Sequence, residues 1–127
     1  MVYKHIVMWK FKEQHNGKSA LENARWMKEQ LEGLVGVVPE LLSAEVGISP
    51  ALEQAAAVPS NAAAVPSDAA AAPAPAASGE YDACLVSTFT SPEALAAYKV
   101  HPKHKAISAY CKEARLKRLA FDWWSEE

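Results

Sequence analysis

Residues 2–12 restrict the fold more than any other stretch. Tyr3, His5, Val7, Trp9 and Phe11 alternate with Val2, Lys4, Ile6, Met8, Lys10 and Lys12, which is the period of an extended strand. Both sides are apolar at the centre. A strand wetted on one face would carry polar residues where Ile6 and Met8 stand. The pattern therefore calls for a sheet covered on both faces, by helices on one side and by another subunit on the other.

Downstream the period lengthens. Ser19 and Glu22 form a capping box, and Ala24, Met27, Leu31, Leu34 and Val35 recur at helical spacing until Gly36 and Pro39, so a helix is expected over about residues 20–35. Leu41 to Ile48 reads as a second strand running into Pro50. The order then repeats. Tyr81 to Thr90 alternates, with Cys84, Val86 and Thr88 on one face and Ala83, Leu85, Ser87 and Phe89 on the other. Ser91, Pro92 and Glu93 open a helix expected to reach Val100. Pro102 disfavours helical backbone at His101, so a second helical stretch is expected from about Lys103 to Glu113, before a last strand from Leu116 to Trp124. Two successive β-α-β units make the βαββαβ order of a ferredoxin-like α+β domain, an antiparallel sheet with helices on one face. The bare face must be hidden, and self-association is the usual way to hide it.

One segment stands apart. Residues 51–78 hold 14 alanines and four of the eight prolines, with Glu53 and Asp68 as their charges. AAAVPSN is followed by AAAVPSD and a decayed third copy, but the recurring Pro59, Pro66 and Pro73 rule out a heptad coiled coil. The segment is read as a low-complexity loop insert between strands two and three, of flexible or polyproline character. A free coil of this length has ends about 30 Å apart, enough to join two strands without dictating their positions. Setting it aside leaves about 100 residues, so the whole of 1–127 is expected to be a single domain.

Charge and composition exclude several roles. With 13 basic and 15 acidic residues the net charge is −2, so no basic field exists to hold a nucleic-acid backbone. No apolar run approaches the roughly 20 residues that span a bilayer, and residues 1–12 carry Lys4, Lys10 and Lys12 in place of a signal-peptide core, so neither a membrane nor secretion is expected. The expected compartment is the cytoplasm, with Cys84 and Cys111 as free thiols. His101 and His104 are three apart, but Pro102 lies between them and no further ligand cluster follows, so no metal is expected. No motif for a haem or flavin is present.

Three stretches in order carry a resemblance: Lys4-His5-Ile6-Val7-Met8-Trp9-Lys10-Phe11-Lys12, Tyr98-Lys99-Val100-His101-Pro102-Lys103-His104, and Phe121-Asp122-Trp123. Together they resemble the stress-responsive A/B barrel (Dabb) domain, over nearly all of the chain outside the Ala/Pro segment. The resemblance implies a dimeric α+β barrel, in which two ferredoxin-like sheets pack face to face. The family includes the plant olivetolic acid cyclase, which closes a linear polyketide by an aldol reaction without metal or organic cofactor. By motif position, His5, Tyr98 and His104 match functional residues of that cyclase, and Asp122 matches the acidic residue that supports the second histidine. Ala83 stands where the cyclase has a further histidine, and Arg115 and Arg118 replace larger apolar groups.

Those residue types suit the chemistry. An aldol cyclisation needs a base beside a carbonyl and donors for the resulting oxyanion; imidazole titrates near neutrality, and a phenol donates without being charged. The expected assignment is His104 as base oriented by Asp122, with Tyr98 and His5 holding substrate oxygens. Val7 and Trp9 of the first strand, with Met27 and Leu31 of the first helix, are expected to form an apolar wall between sheet and helices. Plain structural roles stand beside each assignment: a buried histidine with one hydrogen bond, a packed tyrosine, a carboxylate pairing with a neighbouring base. The basic run Arg115, Lys117 and Arg118 reads as a solvated strand face. Three readings remain open: a homodimer binding a small hydrophobic or aromatic molecule, with cofactor-free His/Tyr acid–base chemistry; a noncatalytic stress-associated dimer; and a monooxygenase-like or haem-handling barrel.

Overall fold

The computed structural model describes residues 1–57 and 80–126. Strand β1 (Val2–Phe11) is followed by two short strands, β2 (Gln14–His15) and β3 (Lys18–Ser19), and by helix α1 (Ala20–Glu32). Strand β4 (Ser43–Ile48) and helix α2 (Pro50–Ala57) complete the first half. Strand β5 (Ala83–Phe89), helices α3 (Pro92–Val100) and α4 (Pro102–Ala114), and strand β6 (Arg115–Ser125) form the second. The main sheet has the order β4-β5-β1-β6, with every neighbouring pair antiparallel. This is the ferredoxin-like α+β fold.

Local signals start and stop the elements. Ser19 accepts the Glu22 N–H at 3.1 Å while the Glu22 carboxylate accepts the Ser19 N–H at 2.9 Å, so two N–H groups at the start of α1 are satisfied reciprocally. Ser91 caps α3 by accepting from the Ala94 N–H at 3.1 Å. His101 ends α3 and starts α4, its ring nitrogen accepting from the Lys103 N–H at 3.1 Å. Three elements differ from the sequence expectation. Helix α1 stops at Glu32 with Gly33 as its cap, and Leu34 is buried from the turn that follows. An Asn16-Gly17 turn, both residues at positive φ, closes a β2–β3 hairpin that the period-two reading passed over. The first residues of the expected loop insert are helical: Pro50 presets φ for a first turn and the alanines that follow favour helix, so α2 extends to Ala57. The rest of that insert lies outside the described residues.

The two faces of the sheet have different fates. On the helix side His5, Val7, Trp9 and Phe11 of β1 and Ala83, Leu85, Ser87 and Phe89 of β5 are all buried against α1, α3 and α4. On the other side Ile6, Met8 and Val86 are half-buried, and Leu119 and Phe121 of β6 are 51% and 63% exposed. The edge strand β4 is tied to α1, because Glu32 accepts the Val46 N–H at 2.8 Å and Lys28 donates to the Val46 carbonyl at 2.8 Å. That leaves this edge strand no free backbone pair at Val46. No helix among the described residues is long and apolar enough to cross a membrane.

Strand β6 carries one irregularity. Its register opposite β1 runs evenly from Ser125 to Lys117, and Phe11 then pairs with Arg115, so Leu116 is an extra residue. At the same place the Phe11 N–H donates to the buried Asp82 carboxylate at 2.9 Å, while Lys10 reaches its other oxygen at 3.2 Å. Residues 115 and 118 would face opposite ways on an even strand. The bulge turns both to the helix side.

Candidate functional site

A cavity of about 220 Å³ lies between the helix side of the sheet and α1, α3 and α4. Strand β1 supplies His5, Val7 and Trp9; Leu85 comes from β5, and Met27 and Leu31 from α1. Helix α4 adds His104, Ile107, Ser108 and Cys111, while Lys99 of α3 and Arg115 and Arg118 of β6 complete the wall. Strand β6 is exposed along most of its length, so the cavity opens on that side of the sheet. Six of the eight residues singled out in the sequence meet here: His5, His104, Val7, Trp9, Met27 and Leu31.

The acid–base groups are arranged differently from the expectation. The Asp122 carboxylate, expected behind His104, lies 2.5 Å from Nδ1 of His5, because the β1–β6 register sets His5 directly opposite Asp122. A carboxylate only accepts, so Nδ1 of His5 carries the proton and Nε2 is left with its lone pair when the ring is neutral. His104 finds a different partner: its Nδ1 is 3.2 Å from the Lys99 carbonyl, again an acceptor, so its Nε2 is the free nitrogen too. Both rings are thus held in one tautomer by a group at Nδ1.

The electrostatics favour neutral rings. Burial lowers the His5 pKa, opposed by the hydrogen bond and charge of Asp122 and assisted by Lys99 and Arg118. Burial also lowers that of His104, opposed by the Lys99 carbonyl and assisted by His5, Arg118 and Lys99. The two imidazoles therefore disfavour each other's protonation. Cys111 is not a nucleophile in this setting, since burial pushes its thiol up to about 11 and leaves it an apolar wall group.

Tyr98 stands behind the cavity. It is fully buried, its ring centroid is 4.3 Å from that of His104 and 5.1 Å from that of Phe89, and it is not part of the cavity wall. Its hydroxyl has no hydrogen-bond partner among the described residues, and burial raises its pKa. The arginines also depart from expectation. Arg115 and Arg118 line the cavity, while Lys117 alone of that run faces outward, over the Tyr81 ring and 3.3 Å from Glu80. The bulge was not readable from the alternation, and the sequence reading set both arginines with Lys117 on a solvated strand face. Leu85, on the buried parity of β5, was readable; Lys99, Ile107, Ser108 and Cys111 required the helix orientations. Among the described residues no group of three or more His, Cys, Asp and Glu side chains is placed to hold a metal ion.

Comparison with known proteins follows this geometry. A family model described as the Stress Responsive A/B Barrel Domain matches residues 3–62 and 69–125, its interruption falling in the Ala/Pro segment. No curated protein matches the chain. Solved structures share the fold over nearly the whole chain. A dimeric ferredoxin-like protein of unknown function from Bacteroides fragilis has a TM-score of 0.68 at 20% identity, covering 98% of this chain and 96% of that one. A dimeric ferredoxin-like protein of unknown function from Thermobifida fusca has a TM-score of 0.64 at 18% identity, covering 98% and 92%. The hydroxynitrile lyase of Passiflora edulis has a TM-score of 0.64 at 16% identity, covering 99% and 95%.

Proposed function

The chain belongs to the stress-responsive A/B barrel domain family, and from that premise we propose that two copies pair through the open face of the sheet and that each binds a small, mainly apolar molecule between sheet and helices for cofactor-free acid–base chemistry. The observation that carries this reading is the pair of imidazoles on one cavity, each held through Nδ1 so that Nε2 has no hydrogen bond among the described residues. The Asp122-backed His5 is the better base. The carboxylate orients the ring and stabilises the imidazolium that forms when Nε2 takes a proton. His104 is the second donor or acceptor, positioned by the Lys99 carbonyl and by the Tyr98 ring packed against it. In a proton abstraction beside a carbonyl, the C–H bond breaks, the proton goes to Nε2 of His5, and the electron pair moves onto the carbonyl oxygen as an enolate. The nearby cations favour that oxyanion. A hydroxynitrile lyase shares this fold, which favours lyase-type chemistry as the class proposed.

The cavity's volume points to a small ligand body. Apolar cavities of about 150 Å³ accept benzene, and pockets for drug-sized ligands start near 300 Å³, so about 220 Å³ fits one ring with a short chain. A haem does not fit that volume. The burial of Tyr98 away from the wall favours a second reading, a noncatalytic dimer in which these side chains serve structure alone.

Proton exchange separates the two. In D2O, the protein is expected to catalyse deuterium incorporation next to the carbonyl of a one-ring ketone such as phenylacetone, followed by NMR. His5→Ala is expected to lower that rate by about a hundredfold or more, and His104→Ala to lower it less. A wild-type rate equal to that of buffer favours the noncatalytic dimer. The pH dependence has a definite sign. As pH falls below the ordinary histidine value of 6.5, the unfolded chain takes up protons before the native one, whose two histidines are lowered. Their contribution to stability is complete above 6.5 and is lost as pH falls from there through the lowered values. Denaturant midpoints measured from pH 8 to pH 5 are expected to decline more gently in His104→Ala than in the unaltered protein.

A further inference from the structure

We infer that the ligand of this cavity is an anion, a carboxylate on a body of about one ring, held by Lys99, Arg115 and Arg118. The inference rests on the binding reading above and specifies the class of molecule. The chain carries more carboxylates than cations, yet among the described residues no carboxylate lines this cavity and three cations do. None of the three makes an ion pair among the described residues, whereas Lys10, Lys28 and Lys117 each have a carboxylate within 3.3 Å. Unpaired cations sharing one concavity repel each other, and an anion entering it relieves that repulsion.

The geometry is built by the strand. Arg115 and Arg118 face the same cavity because the extra Leu116 breaks the alternation, and the bulge is fixed from the other side by Asp82 on the Phe11 N–H. Arg118 lies opposite Trp9 in the ladder, so its guanidinium stem starts beside the apolar wall. Lys99 approaches from α3, and its carbonyl is the group that holds His104. A carboxylate between the guanidinium groups accepts paired hydrogen bonds from their planar forks, while its apolar body lies along Val7, Met27 and Leu31. A phosphate monoester has the same charge chemistry with a larger, three-oxygen head.

Four probes test this: phenylacetate, its neutral amide phenylacetamide, phenyl phosphate and inorganic phosphate. Binding is read by titration calorimetry and by the Trp9 indole N–H in 1H–15N spectra, which reports entry into the cavity. Phenylacetate is expected to bind at least about tenfold more tightly than phenylacetamide and to shift the Trp9 signal. In Arg118→Gln and in Arg115→Gln that preference is expected to fall severalfold, with a melting temperature no lower than that of the unaltered protein, since one repelling charge is gone. Equal affinity for phenylacetate and phenylacetamide, both shifting Trp9, overturns the anion assignment and leaves the binding reading intact. Absence of any Trp9 shift with all four overturns both. Phenyl phosphate binding more tightly than phenylacetate overturns the carboxylate and keeps the cationic mouth; inorganic phosphate binding as tightly as phenylacetate overturns the joint apolar and cationic site.

Discussion

The two faces of β1 are nearly equal in apolar character and meet different ends. His5, Val7, Trp9 and Phe11 are closed off by helices from the same chain, whereas Ile6 and Met8 look across a sheet surface that continues into Leu119 and Phe121 without cover. The helix side is stabilised by the chain alone. The open side gains its stabilisation only when apolar surface from elsewhere arrives, worth about 25 cal/mol for each Å² removed from water. Under the proposed pairing the difference separates folding from assembly, so that a residue's face on one strand decides whether its loss is felt by the monomer or by the pair.

Substitutions on the two sides can break or sharpen that contrast. The largest effect is expected for Phe11→Ala, which empties a fully closed site and costs about 3–5 kcal/mol of unfolding free energy in denaturant titration, with association unchanged. A variant that weakens assembly instead removes the distinction. Next comes the open side: Leu119→Asp with Phe121→Asp removes two anchors of about 2 kcal/mol each, so sedimentation equilibrium is expected to show dimer dissociation strengthened about a thousandfold while the monomer keeps its circular dichroism. A double variant that stays dimeric at micromolar concentration moves the interface elsewhere. Ser87→Ala is smaller. Its hydroxyl donates to the His5 carbonyl at 3.1 Å inside the closed face, and losing that donor is expected to cost about 1 kcal/mol in melting experiments. The smallest effect belongs to Lys117→Ala, whose pairing with Glu80 is solvent-exposed; a change within about 0.5 kcal/mol is expected, and a larger loss would mark Lys117 as part of the assembled interface.

Much of this contrast was written in the chain. The alternation of residues 2–11 and 83–89 separated the two faces of each strand, because a strand has only two sides, while both faces being apolar at the centre left the choice of the helix-covered one to the packing. Ser19, Glu22 and Ser91 marked helix starts through hydrogen bonds that depend on a few neighbouring residues. The Asn16-Gly17 pair was equally local and equally readable, yet it lay between elements whose longer periods dominated the reading. What stayed hidden depends on pairing between distant segments. Asp122 supports His5 because the β1–β6 register sets them opposite, and no spacing within either segment reveals that register. Lys99 and Cys111 reach the cavity through the packing of α3 and α4 on the sheet. Arg115 and Arg118, read with Lys117 as a solvated strand face, reach the cavity through the surplus Leu116, which nothing within the strand's own sequence marks.

That surplus residue has a consequence for sequence change. Helix α4 ends at Ala114 and β6 begins at Arg115 with no loop between them, so length differences at this junction cannot be taken up in a connection. Leu116 absorbs one residue inside the strand, and Arg115 and Arg118 face the helix side on either side of it. Deleting its codon would straighten the ladder, leave Arg115 opposite Phe11 and Arg118 opposite Trp9, and preserve the charge pattern at the mouth. A one-codon deletion, ordinarily enough to turn a strand inside out, is at this position a silent edit of orientation.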